Sequence, residues 1–459
     1  MKNSKRIYWG IFLVVLLCLV GIGCFNDKTP NTPISYNPNF PADSQLIVWM
    51  APEADTAKFK DWLKNLKDNN STVNYNYCDQ CDSSLVVLSG PNLVTAVSGA
   101  LASGGSRGGS GGPSGGGTLY YWCYNFDISI SDSLYETSKK DTVKIDEIRY
   151  LDPKPVTIAV FDTGIDSAML TDASYTYNSP NLSCLGPQAN KGWNFIARNN
   201  ATNDDYFSPG HGSNVSRIIL KQIQQLGKNP VKILPVKIHS KEGKGNLFDA
   251  LCGIAYAEKS GAVIINASFG FYSPRVQERT VDSAALLFKE FTKKHLTNNK
   301  ILMVAAAGNT SDAQQIAAIN FISRNLDTMN FYPASFAGDP EMQNVIAVTT
   351  VKESGDGSRV SPRQNFSGNV VDIGVVSNNI IMPGDSIYLI KNPRLANSML
   401  EGSSYAAPVV AGYIGGNYNE LRSKIDSNEF NKQNIFDTLG IRENATLTPY
   451  VKAGKVIKQ

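Results

Sequence analysis

The chain has 459 residues, 42% of them hydrophobic and 18% charged, with a formal net charge of +3. That length allows two or three domains and at least one large core. The near-balanced charge, with no block of one sign, excludes nucleic acid as the main partner, and three histidines leave few candidates for imidazole chemistry.

Lys2, Lys5 and Arg6 precede an almost wholly apolar run, Ile7 to Gly23, which ends in Gly-Ile-Gly-Cys. A basic start followed by such a run reads as a secretory signal over residues 1–24. Gly23-Cys24 resembles the end of a bacterial lipobox, in which the cysteine is lipidated; Gly21 departs from the usual Leu. The expectation is a lipid on Cys24 that tethers the protein to a membrane surface, in the cell envelope or outside the cell. An uncleaved anchor is the alternative, with 17 residues at the short limit for a span. Residues 25–44 are rich in Pro and Asn, lack periodicity, and read as a flexible linker.

Residues 45–130 read as a small α+β domain. Gln45 to Met50 is a short apolar strand. After Pro52, Phe59, Trp62, Leu63 and Leu66 share one helix face. Thr72 to Tyr77 and Ser84 to Leu88 read as strands, Pro91 to Leu101 as a second helix, and Leu119 to Asp127 as an aromatic strand. The order βαββαβ is the ferredoxin-like arrangement. Within it, residues 103–117 hold nine glycines in fifteen positions and read as a mobile loop. No P-loop Lys-Ser/Thr or dinucleotide pattern accompanies them, so they are not a phosphate cradle.

Cys78 and Cys81 form a CxxC pair, but no second pair or nearby His completes a metal site. In an oxidising compartment a structural disulfide from one of them to Cys123 is expected, with free buried thiols as the alternative. Residues 131–152 read as a connector that includes Lys139-Lys140.

From 153 to 459, apolar runs alternate with helical stretches. The runs are Val156 to Phe161, Val231 to Ile238, Ala262 to Asn266, Ile301 to Ala306 and Val345 to Thr350; helices are expected over 248–260 and 279–298. The pattern predicts an α/β domain with a mostly parallel sheet flanked by helices. In such sheets reactive residues gather at the carboxyl ends of strands.

Four such ends are chemically loaded. VTIAVFDTGID places Asp162 after the first strand, and SPGHGSNVSRIIL places His211 at a helix start. ILMVAAAGNTSD ends a strand at Gly308-Asn309, and LEGSSYAAPVVAG places Ser404 at the start of another helix. The order is Asp, His, Asn, Ser, with spacings of 49, 98 and 95 residues. With DTGID, HGSNV, AAAGN and GSSYAAP in this order, residues 153–425 resemble the subtilase family of subtilisin-like serine peptidases. Ser213 and Ser403 stand where Thr is more usual, and each keeps a hydroxyl. The S-x-A-x-P register selects Ser404 over Ser403 as nucleophile.

The resemblance implies a serine endopeptidase acting on proteins or peptides, with no required cofactor. Asp162, His211 and Ser404 would form the triad and Asn309 would supply the oxyanion donor. Ser268, Phe269 and Gly270 would pair with the substrate backbone and Gly245 would line the opposite side. Ala306, Ala307 and Gly308 would wall the pocket before the scissile bond, which would be roomy and apolar. Family members often bind structural calcium, and Asp204 and Asp205 are the candidate ligands. By position and topology the domain at 45–130 looks like a propeptide that chaperones and inhibits, released by self-cleavage between residues 125 and 152. A catalytically dead scaffold, a narrow-specificity maturation protease, and a peptide ligase or macrocyclase are competing readings. His295, among lysines, reads as solvated surface, and His239 as a strand-end or loop residue.

Overall fold

Strand β1 (Gln45–Met50) is apolar from Leu46 onward, and both of its faces are covered. Leu46, Val48 and Met50 point into one cluster with Phe59, Leu63 and Leu66 of helix α1 (Thr56–Asn69). Ile47 and Trp49 point the other way, into a cluster that includes Phe288 and Phe291 of the main body. The two-residue period of a strand thus assigns alternate side chains to two different cores.

The structure is a computed structural model. It describes residues 45–50, 56–78, 81–93, 97, 106–107, 120–130, 133–136, 155–166, 178, 184–205, 210–226, 228–274, 279–297, 300–309, 324–353, 358–360, 363–376, 388–390 and 398–458. The signal segment with Cys24, the linker 25–44 and most of the connector 131–152 lie outside these residues.

Strands β2 (Asn74–Cys78), β3 (Asp82–Ser89), β4 (Ser106–Arg107) and β5 (Tyr120–Tyr124) complete the first sheet, in the order β2-β3-β1-β5-β4. The first four strands in that order pair antiparallel, as the ferredoxin-like reading requires. Leu93 and Val97 of the expected second helix are helical and buried in the α1 cluster. One expectation changes: Ser106 and Arg107, inside the glycine-rich stretch, pair parallel with Tyr120 and Tyr121 as a fifth strand.

Two short strands follow, β6 (Asp127–Ser129) and β7 (Ser133–Glu136). The main sheet has a parallel centre built from β8 (Val156–Asp162), β10 (Val231–Lys237), β12 (Ile264–Ala267), β14 (Leu302–Ala306), β16 (Val345–Lys352) and β18 (Ile373–Val376). These run in the order β18-β16-β14-β12-β8-β10, with β9 (Trp193–Asn194) beyond β10. Their residues are apolar on both faces because both faces are buried. Val156, Ile158 and Val160 of β8 meet helices α2 (His211–Leu226) and α5 (Ser403–Gly416). Ala159 and Phe161 face the side of α3 (Leu247–Lys259) and α4 (Arg279–Thr297). The small strands β11 (Lys244–Asn246), β13 (Phe271–Pro274) and β15 (Met329–Tyr332) border this sheet. Later pieces are β17 (Arg359–Val360), β19 (Tyr388–Ile390), β20 (Ser398–Glu401), β21 (Arg442–Glu443) and β22 (Lys455–Lys458). Among the described residues no helix is long and apolar enough to cross a membrane.

Residues 38–459 form one compact unit, and the first sheet is fastened to the main body in three ways. Trp49 packs edge-on against Phe291 at 5.5 Å between ring centroids. Two disulfides, Cys78–Cys252 and Cys81–Cys184, join the sheet to α3 and to the segment before β9. The expected link to Cys123 is not made; that cysteine is buried and free. Cys123 is held away from the CxxC turn by its place in β5, on the far side of β1 from β3.

The third fastening corrects the reading of His295. It is 4% exposed, with Nε2 3.0 Å from Asp82 and Nδ1 in short contact with Glu258. Lys294 Nζ also reaches Asp82, at 2.8 Å. Burial works to raise the Asp82 carboxyl, but the His295 hydrogen bond and the charge of Lys294 outweigh it and hold the group well below the carboxylate range. Glu258 is likewise lowered, with the His295 hydrogen bond overcoming burial. Both carboxylates therefore bind protons more weakly in the folded chain than in the unfolded one. Their stabilisation is complete above about pH 5 and falls away as the pH drops through 4 and below. Thermal unfolding followed from pH 6 to pH 3 should show this loss, and Asp82→Asn should flatten it. At pH 7 Asp82→Ala should cost about 1–3 kcal/mol, since it leaves the buried His295 Nε2 without its partner and removes the ion pair of Lys294.

Candidate active site

Asp162 is the last residue of β8, and His211 is the first of α2. The two side chains are 1% and 0% exposed. His211 Nδ1 lies 2.7 Å from Asp162 Oδ1 and 2.9 Å from Oδ2. A helix start can come this close to a strand end because residue 212 is glycine. A Cβ there would sit 2.2 Å from the Gly164 carbonyl oxygen and 3.0 Å from the Asp162 Cβ. The HG pair in the sequence is thus a steric requirement.

A buried network holds this contact. The Thr163 amide donates to Asp162 Oδ1 at 2.7 Å. The Thr163 hydroxyl lies 3.0 Å from Asp162 Oδ1 and 2.7 Å from Asp205 Oδ1, with one proton to give, and accepts from the Gly212 amide at 3.1 Å. Asp205 Oδ2 accepts from the amide and hydroxyl of Ser213 at 2.8 and 2.7 Å. Burial raises the Asp205 carboxyl, opposed by the Thr163 and Ser213 hydrogen bonds. Asp205 therefore ties the Asp162 turn to the start of α2.

This arrangement does not fit calcium. Both Asp205 oxygens are committed to protein donors, and Asp204 lies 3.4 Å from the Lys237 ammonium. Among the described residues no three acidic, His or Cys side chains gather as a metal site.

Ser404 is the second residue of α5. Pro408 stands inside the same helix, four residues on, and has no N–H to offer the Ser404 carbonyl. That carbonyl instead accepts from the Ser268 hydroxyl at 2.8 Å, which itself accepts from Asn266 Nδ2 at 2.8 Å. The S-x-A-x-P pattern thus places a helix start against the end of β12. Ser404 Oγ donates to the Ser268 carbonyl at 3.3 Å.

Asn309 follows β14. Its Oδ1 accepts from the Ser403 amide at 2.8 Å and from the Ser403 hydroxyl at 3.1 Å. The Gly308 amide donates to the same hydroxyl at 3.0 Å. With Oδ1 engaged, the group Asn309 can offer a developing oxyanion is Nδ2–H. The two serines that stand in place of Thr, Ser213 and Ser403, both use their hydroxyls. Tyr272 supports the same loop, its hydroxyl donating to the Asn309 carbonyl at 2.9 Å. Nothing in the sequence marked Tyr272, because it lies 37 residues away on β13.

A small cavity beside Ser404 is lined by Ser129, Ile130, Ser268, Phe269, Ala306, Gly308, Asn309 and Phe331. Ala307 is instead enclosed in the core, its carbonyl accepting from Asn365 Nδ2. Phe331 on β15 was not foreseen. His239, just past β10, is fully buried near Phe269, and burial pushes its imidazole down to about 3.

The chain itself lies along this site. In β6, Ile128 pairs with Gly245 and Ser129 with Lys244, both on β11. On the other side Ser129 exchanges hydrogen bonds with Gly270 at 3.3 and 3.4 Å. The Ile130 amide donates to the Gly243 carbonyl at 3.1 Å. Beyond, Ser133 to Glu136 pair antiparallel with Glu401 to Ser398, the strand that runs into Ser404. Only residues 131 and 132 join the two halves.

A model of the subtilase family matches residues 154–442. The chain is 28% identical over 285 residues to the thermophilic serine proteinase of Bacillus sp. (strain AK1), covering 59% of this chain and 55% of that protein. It is 37% identical over 118 residues to the cell wall-associated protease of Bacillus subtilis (strain 168), covering 25% of this chain and 12% of that protein. The matches thus span about half or less of these two relatives. Among solved structures, the epidermin leader peptide processing serine protease (EpiP) from Staphylococcus aureus shares the fold. Its TM-score is 0.55 at 16% identity, over 90% of this chain and 96% of that one. Fervidolysin from Fervidobacterium pennivorans gives 0.54 at 15% identity, over 90% of this chain and 60% of that one.

Gly212→Ala should separate α2 from β8 and cost about 1–3 kcal/mol in denaturant unfolding, as overpacked sites do. In the same variant the low-field Nδ1 proton resonance of a carboxylate-bound His211 should be lost from the NMR spectrum.

Proposed function

This chain belongs to the subtilase family, and we propose that it is a serine endopeptidase that cuts peptide bonds through an acyl-enzyme. The observation that carries this is the buried Asp162–His211 contact, with the His211 ring 5.0 Å from that of Tyr405, next to Ser404, and with Ser404 and Asn309 lining one cavity. Asp162 keeps the proton on Nδ1 and stabilises the imidazolium, so Nε2 is the base. For attack the Ser404 hydroxyl turns from the Ser268 carbonyl to Nε2, which takes its proton and later gives it to the leaving amine. Asn309 Nδ2 and the Ser404 amide at the start of α5 stabilise the oxyanion. None of these steps requires a cofactor.

Protein or peptide substrates would bind as an added strand between β11 and Gly270. The chain's own residues 127–130 already do so, which supports an intramolecular inhibitor. Gly245 leaves room for it: a Cβ there would lie 3.3 Å from Ile128 Cγ1 of the added strand, as well as 2.0 Å from the Ile238 carbonyl oxygen. The pairing on both sides of Ser404 supports a first cut between Ile130 and Ser133, not at Lys139-Lys140. Placement outside the cytoplasm, with a lipid on Cys24, is part of the same proposal. The two disulfides support an oxidising compartment.

A fluorophosphonate probe should label the wild type and not Ser404→Ala; no labelling of the wild type would sink the enzyme reading. Full-length Ser404→Ala should persist where the wild type yields a product cut between residues 130 and 133, read by mass spectrometry. A product lighter by water would instead favour ligation or cyclisation. Asn309→Ala should lower kcat by about 10²–10³, the magnitude known for the subtilisin oxyanion Asn, with KM little changed.

A further inference from the structure

Cys78 ends β2, and Cys81 sits in the turn before β3. Their partners, Cys252 and Cys184, both belong to the main body. Residues 127–136, the stretch that lies along the cavity, fall between the two sides in sequence. Each disulfide therefore bridges any cut made in that stretch or in the connector after it. One cut leaves two fragments joined by two sulfur pairs.

We infer that the N-terminal sheet is a covalently retained inhibitory unit, whose departure from the body requires a dithiol reductant as well as a cut. The inhibitory part rests on reading residues 127–130 as a substrate-like strand; the retention does not. After a cut, Ile128 and Ile130 remain attached through β5 to a sheet that cannot leave. A tethered strand of this kind competes with substrate at an effective concentration of roughly millimolar. The Asp82 ion cluster and the Trp49–Phe291 contact hold the same sheet without covalent help.

Accessibility orders the reduction. Cys78, Cys81 and Cys252 are 1%, 4% and 1% exposed, whereas Cys184 is only half-buried. A thiolate of the reductant meets Cys184 Sγ first. The S–S bond to Cys81 breaks, Cys81 leaves as a thiolate, and a mixed disulfide forms on Cys184. The second thiol of the reductant closes on the mixed disulfide and frees Cys184. The reductant loses two electrons and two protons, and the cysteine pair gains both. The Cys78–Cys252 pair is reduced in the same way after the turn at Cys81 is freed. Cys123 is no exchange partner, because burial pushes its thiol far up and keeps it protonated.

The test uses full-length Ser404→Ala, which cannot cut itself. It carries the recognition sequence of an unrelated site-specific protease within residues 137–152 and is made in an oxidising compartment. After cutting, denaturing electrophoresis should show one species without reductant and two with dithiothreitol. Adding Cys78→Ser and Cys81→Ser should give two species without reductant. Two species from the unsubstituted cysteines without reductant would overturn retention. If the cysteine variant fails to fold, peptide mapping of the uncut chain decides: Cys78–Cys252 and Cys81–Cys184 support retention, and other pairings overturn it. For inhibition, the same cut is made in a chain with Ser404 intact, and the chain is diluted to nanomolar concentration. Fluorophosphonate labelling should then quicken at least tenfold with dithiothreitol. Equal, measurable rates would overturn the inhibitory role. No labelling in either condition would overturn the peptidase reading and the inhibitory role with it, while the electrophoresis still decides retention.

Discussion

His211 reaches Asp162 only where a helix start and a strand end touch without a side chain between them. Gly212 permits that approach, and Asp205 makes it the preferred one by binding Thr163 on one side and Ser213 on the other. A hydrogen bond between two fully buried titratable groups is sensitive to small displacements, since the low local dielectric magnifies both its strength and the cost of losing it. The surrounding donors are therefore as much part of the site as the two residues themselves. Lys237 belongs to this support as well: its ammonium contacts the Thr163 carbonyl from the end of β10.

The same logic recurs at Ser404. A proline in the first turns of α5 leaves one carbonyl without its helical donor, and the hydroxyl of Ser268 takes the place. A local defect in one helix is what registers it against a strand end. Asn309 is fixed by Ser403, the neighbour of Ser404, so the two halves of the candidate site cannot drift independently. These contacts all form at the carboxyl ends of parallel strands, where backbone groups end their ladder and side chains from separate segments meet.

The N-terminal sheet adds a second level of constraint. Its inner face shares a core with α3 and α4, and its disulfides close chain separations of 174 and 103 residues. In the chain-entropy view each closure restricts the unfolded chain by about 4–5 kcal/mol, although two such links are not additive. The strand that leaves this sheet pairs on both sides along the cavity. Its orientation there follows from β5, which ends three residues before β6 and is held in the sheet by β1.

By itself the sequence determined the parallel sheet and the order of its strands' loaded ends, and it singled out Asp162, His211, Asn309 and Ser404 as candidates. It could do so because apolar runs and fixed short motifs are local signals, written within a few residues of one another. It also pointed to the ferredoxin-like arrangement, through the order βαββαβ of its apolar runs and helix faces. Only the tertiary structure decided the rest. Cys81 looked toward Cys123 by nearness in sequence, yet meets Cys184, because pairing depends on where β5 and the main body lie in space. His295 looked solvated among lysines, yet is buried against Asp82, because its helix face is covered by a sheet more than two hundred residues earlier. Asp205 looked like a metal ligand and is a hydrogen-bond anchor instead, because Thr163 and Ser213 reach it from opposite sides. A short stretch of alternating polar and apolar residues, 127–130, lies as a strand along the cavity because β11 and Gly270, from distant segments, pair with it on either side.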